Sequence, residues 1–289
     1  MSECTQCGVV VGVDGSAVGN LAIAWAARDA VRRDVQLTLV NVQSPADASL
    51  PLCDAYHQSP DERGRRLLDA AERVVGRAIE GMGPITLARK VLIGAPVPTL
   101  VNLSKNATLV VVGRNGTTSL HRRFVGSVTS GLMRQARSPV AVVPADDLGP
   151  GSDMRPILLG INGPPATDAA IGIAFDEATR RGVDVIALHA WADTEATRFA
   201  RFERERQIVV GEAALGERLA RWRRRHPEVC VENRLVFGEP TRALVEASGS
   251  AQLTVVGSHG RGRLGSMLLG SVSSVVVQGA RTPVIVARR

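Results

Sequence analysis

Apolar and polar positions along this chain fall into two rhythms that alternate in a fixed order. Gly8-Val-Val-Val-Gly-Val13 is a continuous apolar run of strand length, and Asp14-Gly15-Ser16 follows at its carboxyl end. From Asn20 to Arg33 the pattern turns helical. Ala22, Ile23, Ala26, Ala27 and Ala30 form a small-residue face suited to close packing on a sheet. Val35 to Val42 predicts a second strand. A stretch punctuated by Pro45, Pro51 and Pro60 leads to a second helix over Asp61 to Gly81, with Leu67, Leu68, Ala71, Val74, Val75 and Ala78 inward. Ile85 to Ile93 is the third strand, and it leaves through Gly94-Ala-Pro96 into a short helix over Val97 to Asn106. Leu109 to Val112 is the fourth strand. A helix-length segment then leads to the fifth, Pro139-Val-Ala-Val-Val143.

The same order then runs again. Ile157 to Ile161, Val183 to Ala190, Val229 to Phe237, Leu253 to Val256 and Pro283-Val-Ile-Val286 predict strands, and Thr197 to Arg225 predicts a long helix. Gly12 and Asp14 precede Gly160 and Asn162 by 148 residues (160 − 12, 162 − 14), and Gly238-Glu-Pro240 matches Gly94-Ala-Pro96. The pattern Gly113-x2-Gly116-x9-Gly126-Ser127 precedes Gly257-x2-Gly260-x9-Gly270-Ser271 by 144 residues (257 − 113, 270 − 126). The second half is therefore four residues shorter between its second and third strands. Ala145 to Arg155, rich in Asp, Gly and Pro, reads as a linker, which places domains at residues 1–148 and 153–289. Strands alternating with helices imply parallel sheets with right-handed crossovers. In such sheets ligands sit beyond the carboxyl ends of the strands.

The glycine pattern is the main chemical signal. Gly113 and Gly116 allow a ligand close approach to the backbone, and Gly126-Ser127 opens a helix whose free N–H groups and hydroxyl suit an oxyanion. The second copy offers Gly257, His259, Gly260, Arg263, Gly270 and Ser271, with Arg261 also in the loop. Neither copy is a Walker P-loop, since Gly-Lys-Ser/Thr is missing. Neither is the dinucleotide fingerprint, since the glycines follow the fourth strand instead of the first. Asp14 is a strand-end carboxylate able to accept hydrogen bonds from a ribose or an amino group, or else an N-cap, a role Ser16 could equally fill. Its counterpart Asn162 carries no charge, and Pro164-Pro165 stiffens the loop behind it. His121, Arg122 and Arg123 in the first loop are open to phosphate, solvent or partner.

Composition changes this picture little. Aromatic residues are only 3% of the chain, so the core must come from Val, Leu, Ile and Ala. Net charge is +7, with no nucleic-acid recognition motif. The densest basic run, Arg221-Trp-Arg-Arg-Arg-His226, reads as a solvated helix end where cations complement the carbonyl pole. Cys4-Thr-Gln-Cys7 has metal-ligand spacing but no second pair, and reads as free thiols in a terminal tail. Met1 to Gln6 is polar and no apolar stretch approaches membrane-spanning length, so the expected setting is cytoplasmic, with no membrane partner.

These residues together resemble the universal stress protein family in its tandem-domain form. The resemblance is carried by Val11-Gly-Val-Asp-Gly-Ser16 with Ala24-Trp25-Ala26, by Gly94-Ala-Pro96, by the repeated glycine pattern and by the final Pro-Val-x-Val strands. It covers almost all of residues 8–144 and 155–287. It implies an α/β fold of two domains, each a five-stranded parallel sheet sandwiched by helices, with ATP, carrying Mg where present, as the ligand. Mapped by position, Asp14 and the backbone of Val42 would hold the adenosine end and Gly113, Gly116, Gly126, Ser127 and Val128 the phosphates, with Gly12 and Gly15 also binding the nucleotide. The second set would be Gly160, Asn162, Ala190, Gly257, His259, Gly260, Arg263, Gly270, Ser271 and Val272. The family also pairs through its last strand, which implies a homodimer or an internal pairing of Val140–Val143 with Val284–Val286. The expected role is an ATP-binding regulator of stress physiology. A slow ATPase or adenylating enzyme, and a scaffold acting through its basic faces, are the alternatives; no paired carboxylates or nucleophile–base pair stand beside the loops.

Overall fold

Ten parallel-paired strands and eight helices follow the predicted order in a computed structural model that describes residues 7–44, 59–116, 125–146, 152–161, 166–191, 213, 215–258 and 270–288. The chain divides into two compact units, Met1–Ala145 and Asp146–Arg289. In the first, β1 (Val9–Gly12), α1 (Ala17–Arg33), β2 (Leu37–Gln43), α2 (Pro60–Ala78), β3 (Leu87–Ile93), α3 (Pro96–Leu103), β4 (Leu109–Gly113), α4 (Ser127–Gln135) and β5 (Val140–Val143) follow one another. In the second, the order is β6 (Ile157–Ile161), α5 (Ala166–Arg181), β7 (Val185–Trp191), α6 (215–225), β8 (Val231–Phe237), α7 (Pro240–Ser248), β9 (Leu253–Gly257), α8 (Ser271–Gly279) and β10 (Val284–Ala287).

The first unit's strand order is β3-β2-β1-β4-β5, all parallel. The chain therefore moves outward from β1 to β3, then crosses to β4 and moves the other way. Right-handed crossovers put helices on opposite faces when the direction of travel reverses. Accordingly α1 packs against α2, and α3 against α4. The reversal leaves a crevice between the carboxyl ends of β1 and β4, the switch point where open α/β sheets take their ligands. The second unit repeats this order as β8-β7-β6-β9-β10.

The core is aliphatic, as the composition requires. Val9, Val10, Val11, Leu37, Leu39, Leu109, Val110 and Val111 are at most 1% exposed, as are Ile157, Leu158, Leu159 and Val255 in the second unit. The predicted helical face of α1 is buried, and it also carries Asp29, only 1% exposed, which accepts from Arg33 Nε at 2.6 Å. The second unit repeats the device 148 residues on: Glu177 is 1% exposed and accepts from Arg181 Nε at 2.9 Å. Such pairs cost desolvation, which offsets much of their Coulombic gain.

Three local expectations are corrected. Helix α1 starts at Ala17, three residues before the apolar periodicity, because Ser16 caps it by accepting the Gly19 N–H at 2.9 Å. Pro60, read as punctuation, is instead the first residue of α2, inside a capping box in which Ser59 and Glu62 bond reciprocally at 3.2 Å. Cys7 belongs to the core and not to a tail. It is 3% exposed, its N–H donates to the Asn106 carbonyl at 2.9 Å, and its carbonyl accepts from Thr38 Oγ1 at 2.9 Å. Among the described residues no disulfide joins Cys7 or Cys230, while Cys4 and Cys53 lie outside the described residues.

The basic run Arg221–His226 is also more than a solvated helix end. Trp222 stacks on Phe175 of α5 with ring centroids 6.2 Å apart, and His226 Nδ1 lies 2.9 Å from Thr179 Oγ1. Arg223 reaches the Val231 carbonyl and Asn233 Oδ1. Arg221 and Arg225 lie over the Trp222 ring at 5.1 and 5.4 Å. The run docks α6 on α5.

Candidate functional site

At the switch point of the first unit lies a cavity of about 360 Å³, within the usual size of a small-molecule site. Gly12, Asp14, Val42, Gly113, Gly116, Gly126, Ser127 and Val128 all line it, so eight of the nine first-half positions picked out by sequence come together. The ninth, Gly15, shapes the loop. Its φ is +79°, and a Cβ there would stand 2.7 Å from Leu67 Cδ2.

The β1 exit is built around one carboxylate oxygen. Asp14 Oδ1 accepts the Ser16 N–H at 2.9 Å and the Ser16 hydroxyl at 2.7 Å. Ser16 Oγ in turn accepts the Gly19 N–H. So Ser16 is the helix cap and Asp14 holds Ser16. The other oxygen, Oδ2, faces Gly116 across the crevice, where an added Cβ would be 2.9 Å away.

The β4 exit is a tied neck. Arg114 N–H donates to the Val143 carbonyl at 2.7 Å, Gly126 N–H to the Arg114 carbonyl at 2.9 Å, and Thr129 Oγ1 to the Gly113 carbonyl at 2.8 Å. These bonds draw the start of α4 against the glycine turn. No side chain caps α4 at Gly126. A helix start without a cap leaves first-turn N–H groups open toward the crevice, with the positive pole behind them.

The other end of the crevice is set by β2. The β1–β2 ladder ends at Gly12↔Val40, and Val13 N–H donates to the Val40 carbonyl at 2.8 Å. Backbone groups of a parallel strand face the same neighbour every second residue. Val42 therefore points its N–H and C=O past the end of β1 into the cavity. The Val13 carbonyl, which would take the Val42 N–H in a longer ladder, is taken by Asn41 Nδ2 at 2.7 Å. Asn41, Gln43, Arg63 and Leu67 also line the cavity and were not singled out from sequence. The available signal was the pair of polar residues in an otherwise buried strand; Asn41 is 3% and Gln43 6% exposed.

The second unit repeats the neck. Ser258 N–H donates to the Ala287 carbonyl at 3.1 Å, Gly270 N–H to the Ser258 carbonyl at 2.9 Å, and Ser273 Oγ to the Gly257 carbonyl at 2.5 Å. Gly270, Ser271 and Val272 open α8, again with no side-chain cap. Gly160 packs against Leu244 and Val256. Asn162, His259, Gly260 and Arg263 lie outside the described residues. At the end set by the second strand of each unit the copies differ. The β6–β7 ladder runs one pair further, to Ile161↔His189, which draws the Ala190 N–H into the sheet. His189 Nδ1 lies 3.0 Å from the Ile161 carbonyl, in the place of Asn41.

Among the described residues, no group of three or more His, Cys, Asp or Glu could hold a metal ion, and no helix is long and apolar enough to cross a membrane.

Comparison with known proteins agrees with the repeat and the fold. The family model described as the universal stress protein family matches residues 8–144 and again 154–288. A universal stress protein of Mycobacterium tuberculosis is 44% identical over 285 residues, spanning 97% of this chain and 96% of its own. One from Mycolicibacterium smegmatis is 40% identical over 291 residues, spanning 100% and 99%. The crystal structure of a universal stress protein from Archaeoglobus fulgidus shares the fold at a TM-score of 0.68, with 19% identity over 98% of this chain and 99% of that one. With two family matches on the two structural repeats and relatives 40–44% identical over nearly their whole length, this chain belongs to the universal stress protein family.

Proposed function

We propose that this protein binds ATP in the cavity of the first unit and acts as a nucleotide-responsive regulator of stress physiology. The observation that carries the proposal is the opposition of two complementary ends across one crevice. Backbone groups of Val42 stand at one end, suited to a base, and the Asp14 carboxylate stands beside Gly116, suited to a ribose hydroxyl. The uncapped start of α4, with Ser127 and the Gly113–Gly116 turn, stands at the other, suited to an anionic tail. The cavity lining contains one carboxylate, Asp14, and one of its oxygens is already occupied by Ser16. That supports holding a ligand over turning it over. ATP would arrive with any Mg it carries. A cytoplasmic setting and a homodimer through the last strands belong to the same proposal.

Calorimetry with ATP on folded protein tests it, together with mass spectrometry of whatever nucleotide the purified protein releases on denaturation. Saturable binding with loss in Asp14→Ala is the expected result. Absence of both binding and retained nucleotide would overturn it.

A further inference from the structure

The first cavity holds a polar side chain that is 94% buried and has an acceptor to spare. Gln43 Nε2 donates to Asn41 Oδ1 at 2.5 Å, and Asn41 Nδ2 donates to the Val13 carbonyl at 2.7 Å. The orientation of both amides follows from this chain of bonds. A carbonyl oxygen can only accept, so the Asn41 atom facing Val13 must be its NH2 group. The Asn41 atom facing Gln43 is then its oxygen, which also can only accept. The Gln43 atom facing Asn41 is therefore its NH2 group. This leaves Gln43 Oε1 as an acceptor, in a residue that lines the cavity beside Val42. Ordinary ambiguity between amide oxygen and nitrogen is removed here by an anchor in the backbone.

We infer that Gln43 is a specificity-determining residue of the nucleotide cavity: its Oε1 accepts a hydrogen bond from the exocyclic amino group of the base, and selects 6-amino over 6-oxo purines. The inference rests on the nucleotide reading of this cavity. Asn41 is the positioning residue, acting through Gln43. A base bearing a carbonyl at that place would set two acceptors against each other with no donor between them. Sites built to receive a donor reject analogues that lack it far more strongly than they reject a change in size. The strand position also separates the two halves. The residue 148 positions after Gln43 is Trp191, whose indole has a donor and no acceptor, and His189 stands where Asn41 does.

The test is a comparison of ATP and inosine triphosphate binding by calorimetry in the full chain, which separates this inference from the reading beneath it. Wild type should prefer ATP. Gln43→Met, close in size and without the amide, should reduce the ATP-to-inosine-triphosphate affinity ratio by about five- to tenfold. Asn41→Leu should reduce the ratio as well, because Gln43 loses the anchor that aims it. Far-UV circular dichroism and the melting temperature establish that each variant is folded. Should Gln43→Met misfold, Asn41→Leu decides by the same ratio. An unchanged ratio in a folded variant that still binds ATP overturns the role of Gln43 and leaves the nucleotide cavity standing. Failure of wild type to bind either nucleotide overturns both.

Discussion

Gly116 faces Asp14 so closely that a single methyl group on Gly116 would stand 2.9 Å from Asp14 Oδ2. These residues come from loops after different strands, and the fold closes the crevice where the two meet. Asp14→Ala removes an acceptor for a ribose hydroxyl or amino group and should weaken ATP about 10- to 100-fold, the range for hydrogen bonds to charged groups. Gly116→Val should weaken it further, since the larger side chain meets the carboxylate itself. Calorimetric titration of both variants checks this, and unaltered affinity in Gly116→Val would place the nucleotide elsewhere.

The two units should not bind alike. The Val42 N–H stands beyond the end of its ladder, whereas the Ala190 N–H is drawn into the sheet by the pair Ile161↔His189. A titration resolving two classes should therefore assign the tighter one to the first unit. Gly116→Val should abolish the tighter class and spare any weaker one. Loss of the weaker class alone would reverse the assignment.

Gly19 and Gly76 should respond oppositely to alanine. A Cβ on Gly19 would lie 2.5 Å from Asp14 Oδ1 and 2.9 Å from Ser16 Oγ, so Gly19→Ala should disrupt the cap and cost about 1–2 kcal/mol. A Cβ on Gly76 meets nothing within 4 Å on the exposed side of the last turn of α2, and Gly76→Ala should stabilise by up to about 0.5–1 kcal/mol. Urea denaturation of the two variants, with equal m-values, gives the signs.

Trp222 holds α6 to α5. Its ring stacks on Phe175, and a Cβ on Gly172 would come within 2.6 Å of Trp222 Cη2. Trp222→Ala should cost about 3 kcal/mol, as large aromatic deletions in packed contacts do. Gly172→Ala should also destabilise, by displacing the same ring. Removal of an exposed arginine such as Arg224 should leave the melting temperature nearly unchanged, and a comparable loss there would mean that charge, and not packing, holds the helix.

Glu228 should titrate below the ordinary carboxylate range. The Thr179 hydroxyl donates to it at 2.7 Å and is the largest cause, with its own backbone N–H and then His226 adding to the effect. A depressed acid contributes stability above the usual carboxylate value and loses it as pH falls through the folded value. The carboxylate is exposed, so solvent screens the effect and it is small. Thr179→Ala should return the Glu228 titration, followed by NMR, upward toward the ordinary value. A titration unmoved by the substitution would assign the shift to His226 or the backbone.

Much of the fold was legible because its signals are local. The 144-residue recurrence of Gly113, Gly116 and Gly126 at Gly257, Gly260 and Gly270 marks the second glycine pattern without reference to structure. The aliphatic runs give all ten described strands, with ends shifted by up to two residues. Helix starts were less legible. The beginning of α1 depends on Ser16 being held by Asp14, and that of α2 on a capping box, and neither contributes to apolar periodicity. Cys7 looked peripheral because only its neighbours Asn106 and Thr38, distant in sequence, make it part of the core. Among the cavity residues, the glycines and Asp14 were found because they recur at strand exits or carry charge there. Asn41 and Gln43 were passed over because their shared face shows only once β2 is seen to extend through Gln43 with Asn41 bonded to Val13.

By itself the sequence determined two α/β units, the order of their elements, and the placement of Asp14 and the glycine turns at strand exits. Periodicity and spacing are sufficient for these, since they are properties of short segments. Only the tertiary structure decided that Ser16 and not Asp14 caps α1, that Asn41 occupies the Val13 carbonyl, and that the ladder at Ile161↔His189 runs one pair longer than its counterpart. Each of these turns on which of two competing groups reaches an acceptor first, and that is fixed by distances of a few ångströms between segments far apart in the chain.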